Sequence, residues 1–218
     1  MMSRPARPAR PALPALVAAA LCLAATACGN APPPETGDYV TRLTKARAAK
    51  DAQFALPCCS DATPVPDNRK AELLPLAYFP IDESYNVPAL LTPSTDRTVF
   101  SMPTSSGQPR QERRAGTLTF TLHGQPMTLT AFVEADAPNA DRLFLPFSDA
   151  TTGKETYSAG RFLDLDRTPT GIYELDFNRA YTPYCYYNPT YECPYPPPEN
   201  RLKIPIEAGE RLKLEGKR

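Results

Sequence analysis

Hydrophobic and polar residues alternate in short runs from Leu73 onward, and Pro, Gly, Asn and Asp punctuate the runs. The clearest case is Thr117 to Leu122, which places Leu118, Phe120 and Leu122 on one face. Met127, Leu129, Ala131 and Val133 answer it after His123-Gly124-Gln125-Pro126. Period-two patterning on both sides of a glycine-containing connection predicts a β-hairpin. The same texture predicts strands at Tyr78 to Ile81, Val87 to Leu91, Thr98 to Met102, Leu143 to Phe147, Arg161 to Leu165, Ile172 to Phe177 and Leu202 to Ile206. One segment differs. Asp38 to about Ala55 sets Tyr39, Leu43, Ala46 and Phe54 near one helical face, with Asp38 placed to cap the helix and Pro57 to end it. A single helix followed by short strands, without helix-strand alternation, predicts a mainly β fold. We expect an antiparallel β-sandwich or barrel-like domain with one N-terminal helix and an irregular Tyr/Pro-rich C-terminal segment.

The pattern changes again at the N-terminus. Arg4, Arg7 and Arg10 precede an apolar stretch from Leu13 to Ala27, which is short for a bilayer span and ends in small residues before Cys28. This resembles a bacterial lipobox, with Ala25 where that pattern usually has Leu. Residues 1–27 are therefore expected to be a lipoprotein signal peptide, 28–37 a short tether and 38–218 a single domain. Acylation of Cys28 would anchor the protein to a membrane on the extracytoplasmic side, in the cell envelope, because paired acyl chains hold durably. Ordinary secretion after Ala27 is the alternative. The whole chain carries 24 basic and 24 acidic residues, and losing three arginines leaves it mildly acidic. That balance argues against nucleic acid as a partner. Arg42, Lys45, Arg47 and Lys50 give the helix a basic side, read mainly as solvated. The sequence specifies no oligomeric state.

Cysteine usage fits an oxidising compartment. Without Cys22 and Cys28 there remain Cys58, Cys59, Cys185 and Cys193, which allow three pairings. Cys185 with Cys193 is favoured because the intervening residues can turn through Asn188-Pro189; Cys58 or Cys59 reaching the tail is the alternative. With one histidine in the chain no metal site is expected, and no motif calls for a cofactor. That histidine, His123, sits in the hairpin connection with no Gly-x-Ser-x-Gly elbow in the sequence, which disfavours histidine-centred hydrolysis. Asp149 with Thr151 or Thr152 is set to close a side-chain-supported turn, and Gly153 suits a positive φ.

The segment Asp176 to Asn200 departs furthest from ordinary globular sequence, with six tyrosines, six prolines and two cysteines. It follows a strand sorted by alternation, with Tyr173, Leu175 and Phe177 on one face and Glu174, Asp176 and Asn178 on the other. Arg161 and Arg179 are near enough in pattern to pair with those carboxylates. Pro196-Pro197-Pro198 must run extended and delivers Glu199-Asn200 at the end of a stiff rod.

At that point the chain resembles a family. FSDATTGKETYSAGRFLDL, LDFNRAYTPYCYYNPTYECPYPPPENRL and IEAGER are similar to the domain of unknown function 1684 family of bacterial secreted proteins and lipoproteins. Upstream, RAAKDAQF and DNRKAELLPLAYFPIDESYNV resemble its short form. The doublet Cys58-Cys59 does not match the pattern. The resemblance implies an extracytoplasmic, largely β domain defined by its tail, and it carries no catalytic residue. Two functions follow as expectations. The first is a lipid-anchored binding domain or envelope accessory holding a small polar ligand, glycan or peptide, with Tyr157, Arg161, Asp176, Asn178, Arg179, Tyr181, Glu199 and Asn200 as ligand-binding candidates. The second is a hydrolase-type enzyme using Asp176 and Glu199 as paired acid and base, which requires them to face one pocket at roughly 5 to 9 Å.

Overall fold

The computed structural model describes residues 38–57, 63–136 and 142–213. The signal, the lipobox cysteine, the tether and the Cys58-Cys59 doublet lie outside the described residues. Among those described, no helix is long and apolar enough to cross a membrane.

The fold is mainly antiparallel β, as the alternation predicts. The chain runs through β2 (Asn86–Pro93), β3 (Val99–Met102), β4 (Arg110–Leu122), β5 (Gln125–Glu134), β6 (Arg142–Phe147), β7 (Arg161–Asp166) and β8 (Ile172–Asp176). These form one seven-stranded sheet in the order β7-β6-β5-β4-β2-β8, with β3 added on β4. The terminal strands β7 and β8 come side by side without a hydrogen-bonded ladder, so the sheet curls into a nearly closed barrel. A small second sheet pairs β1 (Ala77–Tyr78) with β9 (Glu210–Arg211). The helix α1 covers Tyr39–Phe54, capped by the Asp38 side chain on the Thr41 amide. Two single-turn helices, α2 (Lys70–Leu73) and α3 (Tyr184–Tyr187), complete the elements used below.

The β4-β5 hairpin turns through His123 and Gly124, both at positive φ, with Leu122 paired to Gln125. That is the geometry a two-residue hairpin loop requires. Leu118, Phe120, Leu122, Leu129, Ala131 and Val133 all enter the main core, together with Leu143, Leu145, Leu163, Tyr173, Leu175 and Phe177. Between Arg114 and Gly116 the register with β5 slips by one residue at Ala115. The bulge reverses the phase of β4. Even-numbered residues after it face inward, whereas Glu112 and Arg114 before it share a face with Glu134 and Phe132, their partners on the outer side of β5.

Leu202 to Ile206 is not a strand. The segment runs beside the barrel end, where the guanidinium of Arg161 draws in backbone carbonyls from Ile206 (2.7 Å), Glu210 (3.1 Å) and Ala208. The backbone of 202–206 meets the Ser148–Ala150 stretch, with Leu202 donating to the Ser148 carbonyl at 2.8 Å and Ala150 to the Ile204 carbonyl at 3.2 Å, and the buried cation takes over where that pairing ends. Helix α1 also docks differently from its reading. Leu43 and Phe54 are buried, but Ala46 is exposed, and Arg47 and Lys50 turn toward the barrel. Arg47 donates to the Phe79 carbonyl at 3.0 Å and lies over the Tyr78 ring. Lys50 pairs with buried Glu210 at 2.5 Å. Part of the helix's basic side is thus a docking face, with the lysine and arginine stems supplying the packing.

Candidate functional site

The tail leaves β8 at Asp176 and returns across the outside of the barrel. A one-turn 3-10 helix at Phe177–Arg179 puts Phe177 into the core. Tyr181 then bridges to Phe162 of β7 through two backbone hydrogen bonds of 2.9 and 3.0 Å, which extends the sheet's edge by one residue. Further on, Thr104 and Pro194 form a second bridge beside β3, and Ser148 and Arg201 a third beside β6. Phe132, on the outer face of β5, is fully buried and packs on Phe100 of β3 at 5.6 Å.

Between this cover and the outer faces of β5, β6 and β7 lies a cleft of about 750 Å³. Its floor is Val133, Phe144, Phe162, Cys193 and Pro194, and its aromatic wall is Tyr181, Tyr184 and Tyr191. The rings stack edge to face: Phe144 on Phe162 at 4.9 Å, Phe162 on Tyr181 at 5.8 Å and Tyr184 on Tyr191 at 5.5 Å. Three cations and three anions share the rim: Lys50, Arg110 and Arg142 with Glu134, Asp164 and Glu192. Most are tied to one another. Asp164 Oδ2 accepts from the Tyr181 hydroxyl at 2.8 Å and from Arg142 at 3.1 Å, and Arg110 pairs with Glu134. Burial and the neighbouring Asp164 carboxylate push the Tyr181 phenol far above its ordinary value, so it acts as a hydrogen-bond donor. Lys50 lies over the Tyr181 ring at 5.2 Å and Arg110 over Phe144 at 5.5 Å. The size and the mixture of flat aromatic faces with a few fixed polar groups are those of a small-molecule site. Its chemistry is recognition by stacking and charge-assisted hydrogen bonds.

The eight residues that the sequence brought forward do not share one surface. Tyr181 lines the large cleft. Asp176 and Arg179 border a smaller cleft of about 400 Å³ at the seam between β7 and β8, alongside Asp164, Asp166 and Glu174. Asp176 is nonetheless almost fully buried, because Tyr39 of α1 and the one-turn helix that follows close over it, whereas Glu174 on the same strand face stays exposed. Asp176 Oδ1 accepts from Tyr39 at 2.8 Å and from the Asn178 amide at 3.0 Å, and its Oδ2 pairs with Arg179 at 3.1 Å. Asn178 is buried too, donating to the Asp82 carbonyl and accepting from the Asp82 amide. Arg161 is 0% exposed inside the barrel end, paired with Asp149 at 3.0 Å. Asn200 is 0% exposed between β5 and β6. Glu199 lines neither cleft and pairs on the outer surface with Arg114 at 3.2 Å. Tyr157 packs its ring against Tyr186 at 5.2 Å.

Cys185 and Cys193 are free thiols in contact, with the Cys185 amide donating to Cys193 Sγ at 3.0 Å. The Asp149 to Tyr157 loop closes as its composition predicts: Asp149 Oδ1 accepts from the Thr151 amide at 2.8 Å, and Gly153 has positive φ. No group of three or more His, Cys, Asp and Glu among the described residues could hold a metal ion. The residues missed by sequence reasoning, Lys50, Arg110, Arg142, Phe144 and Asp164, come from α1 and three different strands. Only the outward face of β6 and β7, where Phe144 and Phe162 interrupt the polar positions, carried a signal for them.

A family model described as a protein of unknown function (DUF1684) matches residues 72–211. The solution NMR structure of an uncharacterized protein from Haloarcula marismortui is similar at 34% identity and a TM-score of 0.62, covering 82% of this chain and 96% of that one. No curated protein matches. The family match spans the barrel and the whole Tyr/Pro tail, so the chain belongs to the DUF1684 family.

Proposed function

We propose that this is a lipid-anchored extracytoplasmic binding domain whose tail-covered cleft holds a small polar ligand of glycan character. The observation that carries the reading is the tyrosine wall, Tyr181, Tyr184 and Tyr191, standing over a rim of paired charges in a cleft of about 750 Å³. Tyrosine faces stack on the CH face of a sugar ring, and carboxylate and guanidinium groups orient its hydroxyls. Tyr184 is 40% exposed at the lip, an exposure that invites cover by a ligand. Paired acid-base hydrolysis lacks comparable support, since the partners of Asp176 and Glu199 are this chain's own donors and the two line no common cleft.

A thermal-shift and NMR screen of neutral and acidic oligosaccharides against the protein tests this. A saturable response should disappear in Tyr191→Ala and weaken in Arg142→Ala while stability changes little, as Arg142 is exposed and Tyr191 only half-buried. Binding that survives both substitutions, or no response to any oligosaccharide, removes the reading. The anchor is tested separately: Cys28→Ser should move the protein from the membrane to the soluble fraction and abolish the acyl mass. A mature wild-type chain that begins after residue 27 without lipid would exclude anchoring. In an oxidising envelope Cys185 and Cys193 can also join as a disulfide that closes the tail loop.

A further inference from the structure

β7 and β8 are the two ends of the sheet, and the seam between them carries backbone groups that the fold leaves open. Phe162 exchanges its amide and carbonyl with Tyr181, on the side of β7 away from β6. Backbone direction repeats every second residue of a strand, so the amides and carbonyls of Asp164 and Asp166 also point into the seam. On β8 the Gly171 carbonyl accepts from Leu91 of β2 at 2.9 Å. By the same period Tyr173 and Leu175 turn their backbone to β2, while Glu174, opposite Pro88, turns its own to the seam. At the closed end Ile172 is satisfied locally, its carbonyl accepting from the Thr168 hydroxyl at 2.8 Å and its amide donating to Thr170 Oγ1 at 3.3 Å. At the other end the Tyr181 bridge occupies the first position of the β7 edge, and the chain before it turns away through the one-turn helix at Phe177–Arg179. Between these ends no backbone hydrogen bond from a described residue reaches Asp164, Asp166 or Glu174 across the seam.

The cleft of about 400 Å³ at this seam has a lining sorted by the strand period. Leu163, Leu165 and Tyr173 point inward and belong to the core, whereas Asp164, Asp166 and Glu174 point outward. Asp164 and Asp176 are already paired, with Arg142 and Arg179. Asp166 and Glu174 are exposed and have no ion pair with a described residue, and Arg179 is the one cation among the described lining residues. An open strand edge in such a cleft fits an extended chain, whose backbone supplies the missing partners and whose alternate side chains meet carboxylates outside and apolar groups inside.

We propose that the open edge of β7 is a docking site for an extended peptide segment of a partner protein in which basic residues flank an apolar one. The segment runs antiparallel to β7, on the line that Tyr181 begins, and pairs with Asp164 and Asp166. Its apolar side chain points to Leu163, Leu165 and Tyr173, and its basic side chains reach Asp166 and Glu174. Asp164 alone is shared with the tyrosine-walled cleft, so the docking site stands independently of the ligand assigned there.

The test titrates the full chain with the capped peptide Lys-Val-Lys-Val-Lys and follows backbone amides by NMR. The Asp164 and Asp166 amides should shift saturably and exchange with solvent more slowly in the bound state. The same peptide N-methylated at its lysine amides keeps its charge and side chains but cannot donate to the edge, and it should bind about tenfold more weakly. Asp166→Asn and Glu174→Gln, both at exposed positions, should each weaken binding about two- to fivefold. A peptide with glutamate in place of lysine should not bind. Equal affinity for the methylated peptide marks charge attraction without strand pairing and overturns the proposal, as does no binding, or shifts confined to Tyr184 and Tyr191 in the larger cleft. Unchanged affinity in both variants removes the carboxylates and with them the basic partner. If the protein alone self-associates in sedimentation with the same amides protected, the edge belongs to a second copy and the peptide assignment falls.

Discussion

Asn200 uses a side chain where the sheet lacks a strand. β5 and β6 pair only at Phe132 and Phe144, so the backbone of Thr130 faces a gap. The Asn200 amide fills it, accepting from the Thr130 amide at 2.7 Å and donating to the Thr130 and Pro146 carbonyls at 2.8 Å each. Asn200→Ala leaves the Thr130 amide and the Thr130 and Pro146 carbonyls without this partner. It should destabilise the domain by roughly 2–4 kcal/mol in urea unfolding, and a loss below about 1 kcal/mol would mean that water replaces the amide. Glu112 poses the opposite problem. It is 0% exposed beside Arg110 at 2.7 Å, yet neither oxygen has a hydrogen bond from a described residue. Burial, opposed by Arg110 and reinforced by Glu134 and Asp136, pushes its carboxyl from 4.5 to about 7. Because the folded value lies above the unfolded one, the fold favours the protonated form. That contribution is complete below about 4.5 and is lost as pH rises through about 7. Glu112→Gln should flatten stability across this window and be more stable than wild type at pH 8 by ~2 kcal/mol. Parallel pH slopes for the two proteins in urea unfolding would refute the account.

Elements whose cause is local were legible in the sequence, and those whose cause is distant were not. The β4-β5 hairpin follows from alternation around a His-Gly turn, and α1 from Asp38 and Pro57. The reversal of β4 at Ala115 has no local mark except Gly116, where an added Cβ would fall 2.3 Å from the Thr92 carbonyl oxygen. Leu202 to Ile206 has a strand's composition, but its backbone answers to the irregular Ser148–Ala150 stretch and, at Ile206, to Arg161, some forty residues earlier in the chain. The cleft was the least legible, since Lys50, Arg110, Arg142 and Tyr191 meet only after the barrel has curled and the tail has crossed it. How closely the tail lies depends on Gly160, which sits at φ +83°, where an added Cβ would be 2.5 Å from the Phe147 carbonyl oxygen and 2.7 Å from Pro196 Cγ. Gly160→Ala should therefore cost about 2–4 kcal/mol. Gly124→Ala, at φ +76° with nothing near, should cost only about 1 kcal/mol. Equal losses for the two in denaturant titrations would show that the backbone conformation alone matters and the tail contact does not.

At the scale of the molecule two hydrophobic clusters meet through one carboxylate. The main core fills the barrel, and a smaller cluster of Phe54, Val65, Leu73 and Tyr187 joins α1, α2 and α3 outside it. Glu210 ties this cluster to the tail and the small sheet, with Oε1 on Lys50 and Oε2 accepting from the Thr182 amide at 2.8 Å and the Tyr187 hydroxyl at 3.0 Å. The smaller cluster buries far less apolar surface than the barrel, so it should open first and on its own. Phe54, edge to face with Tyr187 at 5.5 Å, is its centre. Phe54→Ala should weaken the cluster by about 3–5 kcal/mol. In native-state hydrogen exchange the amides of α1 and α3 should then accelerate by the corresponding factor, while those of β4 and β5 keep the protection of the barrel. Uniform acceleration across helices and strands would instead make the clusters one cooperative unit. In that case the cleft wall built from Lys50, Tyr181 and Tyr184 could not loosen without unfolding the barrel, and a ligand would have to enter a rigid site.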